Sequence, residues 1–143
     1  MGRDSSAGFT LIEIVVAITV IVILAAFAVP RFAGRQNEMR ETQTNALAGS
    51  LRGAAMLAHG MWMAQGGGPT ITMDGQTITM IHGYPDRRTI VDALVELNGF
   101  TYDPDSGVFT STGADTPASC RVTYTPPATA NRRIDLEIDT SGC

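Results

Sequence analysis

The sequence places one carboxylate inside a long apolar run near its N-terminus. Between Phe9 and Val29, Glu13 is the only charged residue. A carboxylate in apolar surroundings is costly unless it is protonated or finds a partner. Two interpretations stay open: Glu13 lies near a membrane interface, or a basic group in an assembly compensates its charge. Arg3 is poorly placed as that basic group, because it lies outside the run.

The sequence has two cysteines, Cys120 and Cys143, which could form a disulfide. An even number of cysteines outside an apolar segment fits a disulfide in an oxidising compartment. The closed loop would hold about 24 residues. By lowering the entropy of the unfolded chain, such a disulfide would stabilise the fold by about 3 kcal/mol. The alternative is two free thiols in a cytosolic domain.

The remaining chemistry-bearing residues do not predict a catalytic or metal site. His59 and His82 have no acidic or cysteine partner at ligand spacing, so both are predicted to be structural. Asp103 and Asp105 invite a calcium interpretation, but the distal glutamate of an EF-hand loop is missing and Asx-turn chemistry explains them. The sequence has no G-x-S-x-G motif, no Walker loop and no lysine. We therefore predict no enzyme activity, no cofactor and no metal.

The charge balance argues against a general affinity for nucleic acid. The formal net charge is −4 at pH 7, which gives no attraction to phosphate backbones. Two arginine pairs, Arg87-Arg88 and Arg132-Arg133, could bind DNA or acidic lipid. On an acidic protein such pairs are more typical of solvated surface or subunit contacts, so no specific nucleic acid partner is expected.

The elements that position these residues begin with a helix. The run from Phe9 to Val29 would be about 30 Å long as a helix, which matches a bilayer core. We predict a transmembrane or assembly helix over 9–30 and an amphipathic continuation over 31–65. Pro30 removes a backbone hydrogen bond and Gly34 weakens the next turn, so the helix should kink or loosen there.

Beyond residue 65 the pattern changes to short alternating segments. A hairpin is predicted around Asp74-Gly75, a short helix over 88–97, and strands over 100–102, 108–110, 121–125 and 134–139. The last strand should place its apolar residues inward. Residues 66–143 would then form a globular antiparallel β head whose last hairpin is stapled by the cysteines. The predicted fold is α+β, with a long N-terminal hydrophobic and amphipathic helix packed against a small antiparallel sheet.

The segment Gly8-Phe9-Thr10-Leu11-Ile12-Glu13, followed by an apolar run and Pro30, resembles the class III signal and N-terminal helix of type IV pilins. The resemblance implies that residues 1–8 are a leader, which a prepilin peptidase removes after Gly8. The same enzyme would then N-methylate Phe9. In the family, the glutamate matching Glu13 is thought to pair with the N-terminal amine of a neighbouring subunit, so Phe9 and Glu13 are the expected assembly residues.

Later segments resemble the mannose-sensitive haemagglutinin class of type IV pilin. They are His82-Gly83-Tyr84-Pro85, residues 119–125, and Ser141-Gly142-Cys143. The resemblance implies a structural subunit held once across the inner membrane, then polymerised by inner-membrane assembly machinery into an extracellular pilus for adhesion, motility or biofilm formation. The alternatives are a type II secretion pseudopilin, with calcium at Asp103 and Asp105, and a single-pass membrane-anchored periplasmic protein.

Two targeting signals conflict with this expectation. Ala26-Phe27-Ala28 resembles a signal-peptidase site behind an apolar core, so an ordinary secretory signal is an alternative. The arginines that follow the run, Arg31, Arg35 and Arg40, would by charge alone keep the C-terminal domain in the cytoplasm. The cysteines and the Gly8-to-Glu13 segment favour the outside.

Overall fold

A computed structural model of the chain describes residues 9–33 and 35–143. The N-terminal part contains helix α1, Leu11–Ala33, and helix α2, Arg35–Ala64. The described chain divides into two compact units, one ending at Gln36 and one beginning at Asn37. The predicted leader, residues 1–8, lies outside the described residues, and so does Gly34.

The structure has two helices, α1 and α2, in the region where helix was predicted over 9–30 and 31–65. Helix α1 includes Pro30 and ends at Ala33, and α2 begins at Arg35. The weak point at Pro30 and Gly34 was expected in an assembled filament, and it stays a prediction.

The head is antiparallel, as predicted, and its strands form two sheets where a single small sheet was expected. The first sheet has the order β1 (Thr70–Met73), β2 (Gln76–Ile81) and β3 (Tyr84–Pro85). The second has the order β4 (Phe100–Asp103), β5 (Val108–Ser111), β6 (Arg121–Thr125) and β7 (Asp135–Asp139). Strand β3 was not predicted from the sequence.

The predicted hairpin between β1 and β2 is confirmed. Ile71 lies opposite Ile78 in the register. Asp74 and Gly75 connect the strands with φ values of 49° and 81°. A two-residue connection with positive φ at both positions matches the strand twist, and Asp-Gly tolerates that conformation well.

The short helix predicted over 88–97 was wrong in extent and type. The structure has only a 3₁₀ helix, Ile90–Ala93, which ends because Leu94 is extended with ψ of 142°. The Asp86 carbonyl accepts hydrogen bonds from the N–H groups of Thr89 and Ile90, and this turn leads the chain out of the first sheet. The core still includes Ile90, and Leu94 and Leu97 pack against it. The spacing of these apolar residues therefore comes from their burial in the core, although the segment is not an α-helix.

Helix α2 buries one face against both sheets. Its residues Leu47, Ala48, Leu51 and Ala55 join a core cluster with Tyr84, Ile90, Phe109, Val122 and Tyr124. One turn further, Ala58 packs with Ile71, Met73, Ile78 and Met80 of the first sheet. A helix packed on antiparallel sheets confirms the α+β prediction, and the arrangement is consistent with the pilin fold.

The inward apolar face predicted for the last strand holds only in part. In β7, Leu136 is half-buried, whereas Ile138 is 41 % exposed. Strand β7 pairs only with β6 and forms the edge of its sheet. The edge position of β7 leaves Ile138 in contact with solvent.

Candidate functional site

The N-terminus of α1 is closed by a reciprocal pair of contacts between Thr10 and Glu13. The Thr10 N–H donates to Glu13 Oε2 at 3.3 Å, and the Glu13 N–H donates to Thr10 Oγ1 at 3.4 Å. This is a capping box, which satisfies two backbone donors that a helix end would otherwise leave free. The Thr-x-x-Glu spacing signals it directly, but the sequence interpretation considered only the charge of Glu13. In a single chain, Glu13 therefore has a local structural role.

The capping box leaves Glu13 able to bind a second partner. The side chain is exposed, and only Oε2 accepts the capping contacts. A carboxylate offers about four acceptor positions on its two oxygens. No ion pair in the described ranges includes Glu13. The neighbouring Phe9 is 78 % exposed, so both residues predicted to act in assembly are accessible at the same helix end.

Helix α1 exposes large apolar side chains around its whole circumference. The least exposed of those between Phe9 and Phe27 is Val15, at 47 %. A helix that is apolar on all sides is normally covered by lipid or by other helices. Across the residues that the structure describes, no helix combines the length and apolar character needed to cross a membrane. The membrane span over 9–30 stays a prediction.

The C-terminal segment is fixed to α2 at one buried point. Cys120, just before β6, and Cys143, after β7, are joined in a disulfide. The buried Thr44 hydroxyl of α2 lies 3.5 Å from Cys120 Sγ and 3.6 Å from Cys143 Sγ. Arg40, also on α2, donates to the Cys143 backbone oxygen and pairs with Asp115, both at 3.2 Å. The structure thus favours the disulfide over two free thiols.

The acidic turn between β4 and β5 uses its carboxylates within the protein. Asp103 accepts hydrogen bonds from the Ser106 hydroxyl at 2.6 Å and from the Asp105 N–H at 3.1 Å, which confirms the Asx-turn interpretation. These bonds, the hydroxyl first, lower the pKa of Asp103. Asp105 pairs with Arg88 at 2.8 Å, and Arg87 donates to the Asp105 carbonyl. Within the described ranges, no group of three or more acidic, histidine or cysteine residues could hold a metal ion.

Three aromatic rings are arranged around the C-terminal end of α2. The His59 ring stacks on Tyr84 with centroids 4.4 Å apart, and on Trp62 with centroids 5.8 Å apart. His59 Nδ1 contacts the Gly83 carbonyl at 2.6 Å, and Trp62 Nε1–H donates to the Gly68 carbonyl at 2.7 Å. These contacts confirm the structural interpretation of His59. The sequence interpretation treated the two histidines separately and missed the ring array, since only tertiary structure brings Tyr84 to α2.

Two core tyrosines of the second sheet differ in how their hydroxyls are satisfied. The Tyr124 hydroxyl donates to the Pro85 carbonyl at 2.7 Å and so links β6 to β3. The Tyr102 hydroxyl is buried without a hydrogen-bond partner among the described residues. Burial raises the pKa of Tyr102 to about 12 and also raises that of Tyr124. Both hydroxyls are therefore neutral at physiological pH and act as core groups.

Comparison with known families identifies the N-terminal segment. Residues 3–29 match the prokaryotic N-terminal methylation motif. The chain carries a prepilin-type N-terminus. This prepilin-type segment includes Gly8, Phe9 and the Thr10–Glu13 capping box, and it supports a type IV pilin-like or pseudopilin protein with a structural role. Searches of curated proteins and of solved structures gave no match to this chain.

Proposed function

We propose that the chain is a structural pilin subunit that polymerises into an extracellular type IV pilus-like filament for adhesion, motility or biofilm formation. The observation that carries this proposal is the methylation motif over residues 3–29. An α1 helix with apolar side chains exposed on all sides and an α+β head support it. Within pilins, the later sequence segments favour the mannose-sensitive haemagglutinin class.

Processing comes first in this proposal. A prepilin peptidase removes residues 1–8 by cleaving after Gly8, and it methylates the amine of Phe9. The subunit is then held once across the inner membrane by residues 9–30 until inner-membrane assembly machinery transfers it to the filament. No cofactor is required in the subunit.

Glu13 then determines how subunits align. Cleavage creates a cationic amine at Phe9, next to the capping box. A buried carboxylate and a buried ammonium compensate each other, whereas either alone is costly. In a bundle of parallel helices, the amine of one subunit pairs with the free acceptor positions of Glu13 in the next. Registers that leave a charge unpaired are disfavoured.

The capping box provides a sharper test than removal of Glu13 alone. Glu13→Gln keeps a side-chain oxygen at the same reach, so it preserves the cap but removes the charge. Glu13→Val removes both. We expect both variants to accumulate in the membrane fraction and neither to yield filaments by shearing. Glu41→Gln, an exposed acidic position on α2, is the matched control and should assemble normally.

Each other outcome contradicts a stated step. Filaments from Glu13→Gln but not from Glu13→Val would show that Glu13 acts only as a cap. Normal filaments from both would remove Glu13 from assembly, and loss of the subunit from the membrane would indicate a stability defect. Mass spectrometry of wild-type filaments should give an N-terminus at methylated Phe9. A mature terminus at Val29 would identify an ordinary secretory signal and refute the pilin proposal.

Two observations favour a pilin over a pseudopilin. The head contains a disulfide, and both carboxylates of the acidic turn, Asp103 and Asp105, are engaged by protein donors. We therefore expect added calcium to leave the thermal stability of the head unchanged. A large calcium-dependent increase in melting temperature would favour the pseudopilin alternative. A membrane-anchored periplasmic protein would instead remain an unassembled subunit.

A further inference from the structure

We propose that the head carries a binding cleft for an acidic saccharide unit, between the end of α2 and the loop that precedes β7. The cleft has a volume of about 470 Å³, within the range of about 300–1,000 Å³ typical of small-molecule sites. Its lining residues come from three separate segments of the chain: His59, Trp62, His82, Tyr84, Arg132 and Arg133. We refer to it as the His59 cleft.

One wall of the His59 cleft is a fixed aromatic surface. The rings of His59, Trp62 and Tyr84 are stacked, and backbone carbonyls orient the first two. Gly83 permits this arrangement, because a Cβ there would lie 3.0 Å from Trp62 and 3.1 Å from His59, and its φ is +85°. Tyr84 is buried, whereas His59 and Trp62 are half-buried, so the accessible parts of these two fixed rings can contact the apolar face of a sugar ring at little conformational cost.

The cleft lining also includes two cationic side chains. Arg132 and Arg133 are exposed, and neither takes part in an ion pair in the described part of the chain. No carboxylate is among the described residues that line the cleft. Asn131, which precedes the arginines, has a φ of 67°, a left-handed conformation that turns the chain here. Unpaired guanidinium groups beside an aromatic wall favour a ligand with both an anionic group and a ring.

The surroundings favour a single acidic sugar over a nucleic acid strand. Strand β7 follows the arginine pair at once and carries Asp135, Glu137 and Asp139. An extended polyanion would be repelled by this acidic strand, and nucleic acid binding requires a longer track of basic groups. A small ligand with one carboxylate and one ring matches the arginines and rings of the lining, which contains no residue of β7. The proposal concerns residues 37–143 and does not depend on filament formation.

Trp62 allows a direct test, because it is the only tryptophan in the chain and it lines the cleft. The full chain in detergent is titrated with N-acetylneuraminic acid, with galactose as the neutral control, while tryptophan emission is recorded. We expect saturable binding of the acidic sugar only. Arg132→Gln/Arg133→Gln should weaken it by at least about tenfold, the usual effect of losing charge-assisted hydrogen bonds. Arg52→Gln, exposed on α2 outside the cleft, should bind as wild type.

Circular dichroism establishes that each variant is folded before its affinity is compared. No saturable signal with the acidic sugar overturns the proposal, and so does equal binding of galactose or unchanged affinity in the double variant. A titration with oligodeoxythymidylate is run in parallel. Tighter, salt-sensitive binding of that strand through the same arginines would reassign the cleft to single-stranded nucleic acid and would also overturn the proposal.

Discussion

The two core tyrosines provide a matched test of how this head is stabilised. Tyr124→Phe removes the hydroxyl that donates to the Pro85 carbonyl at 2.7 Å. Tyr102→Phe removes a buried hydroxyl that has no partner among the described residues. The two substitutions delete the same atom from β4 and β6, two strands of one sheet with β5 between them. We expect Tyr124→Phe to lower the free energy of unfolding and Tyr102→Phe to leave it unchanged or raise it.

The size of each change in the free energy of unfolding follows from the hydrogen bond that is lost or was never made. Loss of the Tyr124 bond leaves a buried carbonyl without its donor, which costs about 1–3 kcal/mol. Loss of the Tyr102 hydroxyl removes a group that folding desolvates without compensation, so this variant should range from neutral to about 1 kcal/mol more stable. A difference of about 2 kcal/mol would separate the two melting temperatures by roughly 8–16 °C for a domain of this size.

The assay is thermal and urea unfolding of the full chain in detergent, followed by tryptophan fluorescence and near-ultraviolet circular dichroism. We expect Tyr124→Phe to be less stable than wild type and Tyr102→Phe to be at least as stable as wild type. If Tyr102→Phe were as destabilising as Tyr124→Phe, the Tyr102 hydroxyl would have a partner such as a buried water, and it would not be an uncompensated core group. An undiminished stability of Tyr124→Phe would show that its bond to Pro85 contributes nothing measurable.

Three further predictions concern the same head. Replacing Cys120 and Cys143 by serine should lower its free energy of unfolding by about 3 kcal/mol, measured by urea titration, and should leave α1 unaffected because that helix lies outside the closed loop. Gly107→Ala should cost about 1–3 kcal/mol, since Gly107 has a φ of +74° and an added Cβ would lie 2.5 Å from the Tyr124 carbonyl oxygen. Burial raises the pKa of Tyr102 to about 12, whereas an unfolded tyrosine has a pKa near 10. Because the unfolded state loses its proton first, the free energy of unfolding should fall as pH rises from about 10 through 12.

Controls separate these effects from general damage. Gly53→Ala lies on α2 where an added Cβ meets nothing within 4 Å, so it should leave the head unchanged or slightly more stable. In Tyr102→Phe the loss of stability above pH 10 should be smaller than in wild type. An identical alkaline transition in Tyr102→Phe would contradict the role of that hydroxyl. A Gly107→Ala protein as stable as wild type would contradict the predicted backbone strain. A cysteine-free head of full stability would contradict the stabilising role of the disulfide.

Several features could be predicted from local sequence because their physics is local. The Asp-Gly hairpin was correct, since positive φ at both turn positions is a property of those two residues. The Asx turn at Asp103 was correct for the same reason. The amphipathic character of the helix over 31–65 followed from helical spacing, and α2 buries Leu47, Leu51 and Ala58 on one face. The capping box of Thr10 and Glu13 is equally local, and its Thr-x-x-Glu spacing could have predicted it.

Other features depended on contacts between distant segments. The first sheet ends at β3, where the chain turns at Asp86. No local sequence pattern predicted that the strands would divide into two sheets there. Residues 88–97 have a helical spacing of apolar residues, yet they form only a short 3₁₀ helix because the core accepts Ile90 and Leu94 from an irregular segment.

The sequence alone determined the N-terminal segment of this protein, because the order of residues from Gly8 to Glu13 and the apolar run behind them form a continuous motif. It also determined the α+β class, since the period of apolar residues changes from helical to alternating after residue 69. Only the tertiary structure decided how the head is built. The Thr44 contact with both cysteines, the Tyr124 bond to Pro85 and the His59 cleft each join segments far apart in the chain. Their partners are chosen by packing, which sequence spacing does not encode.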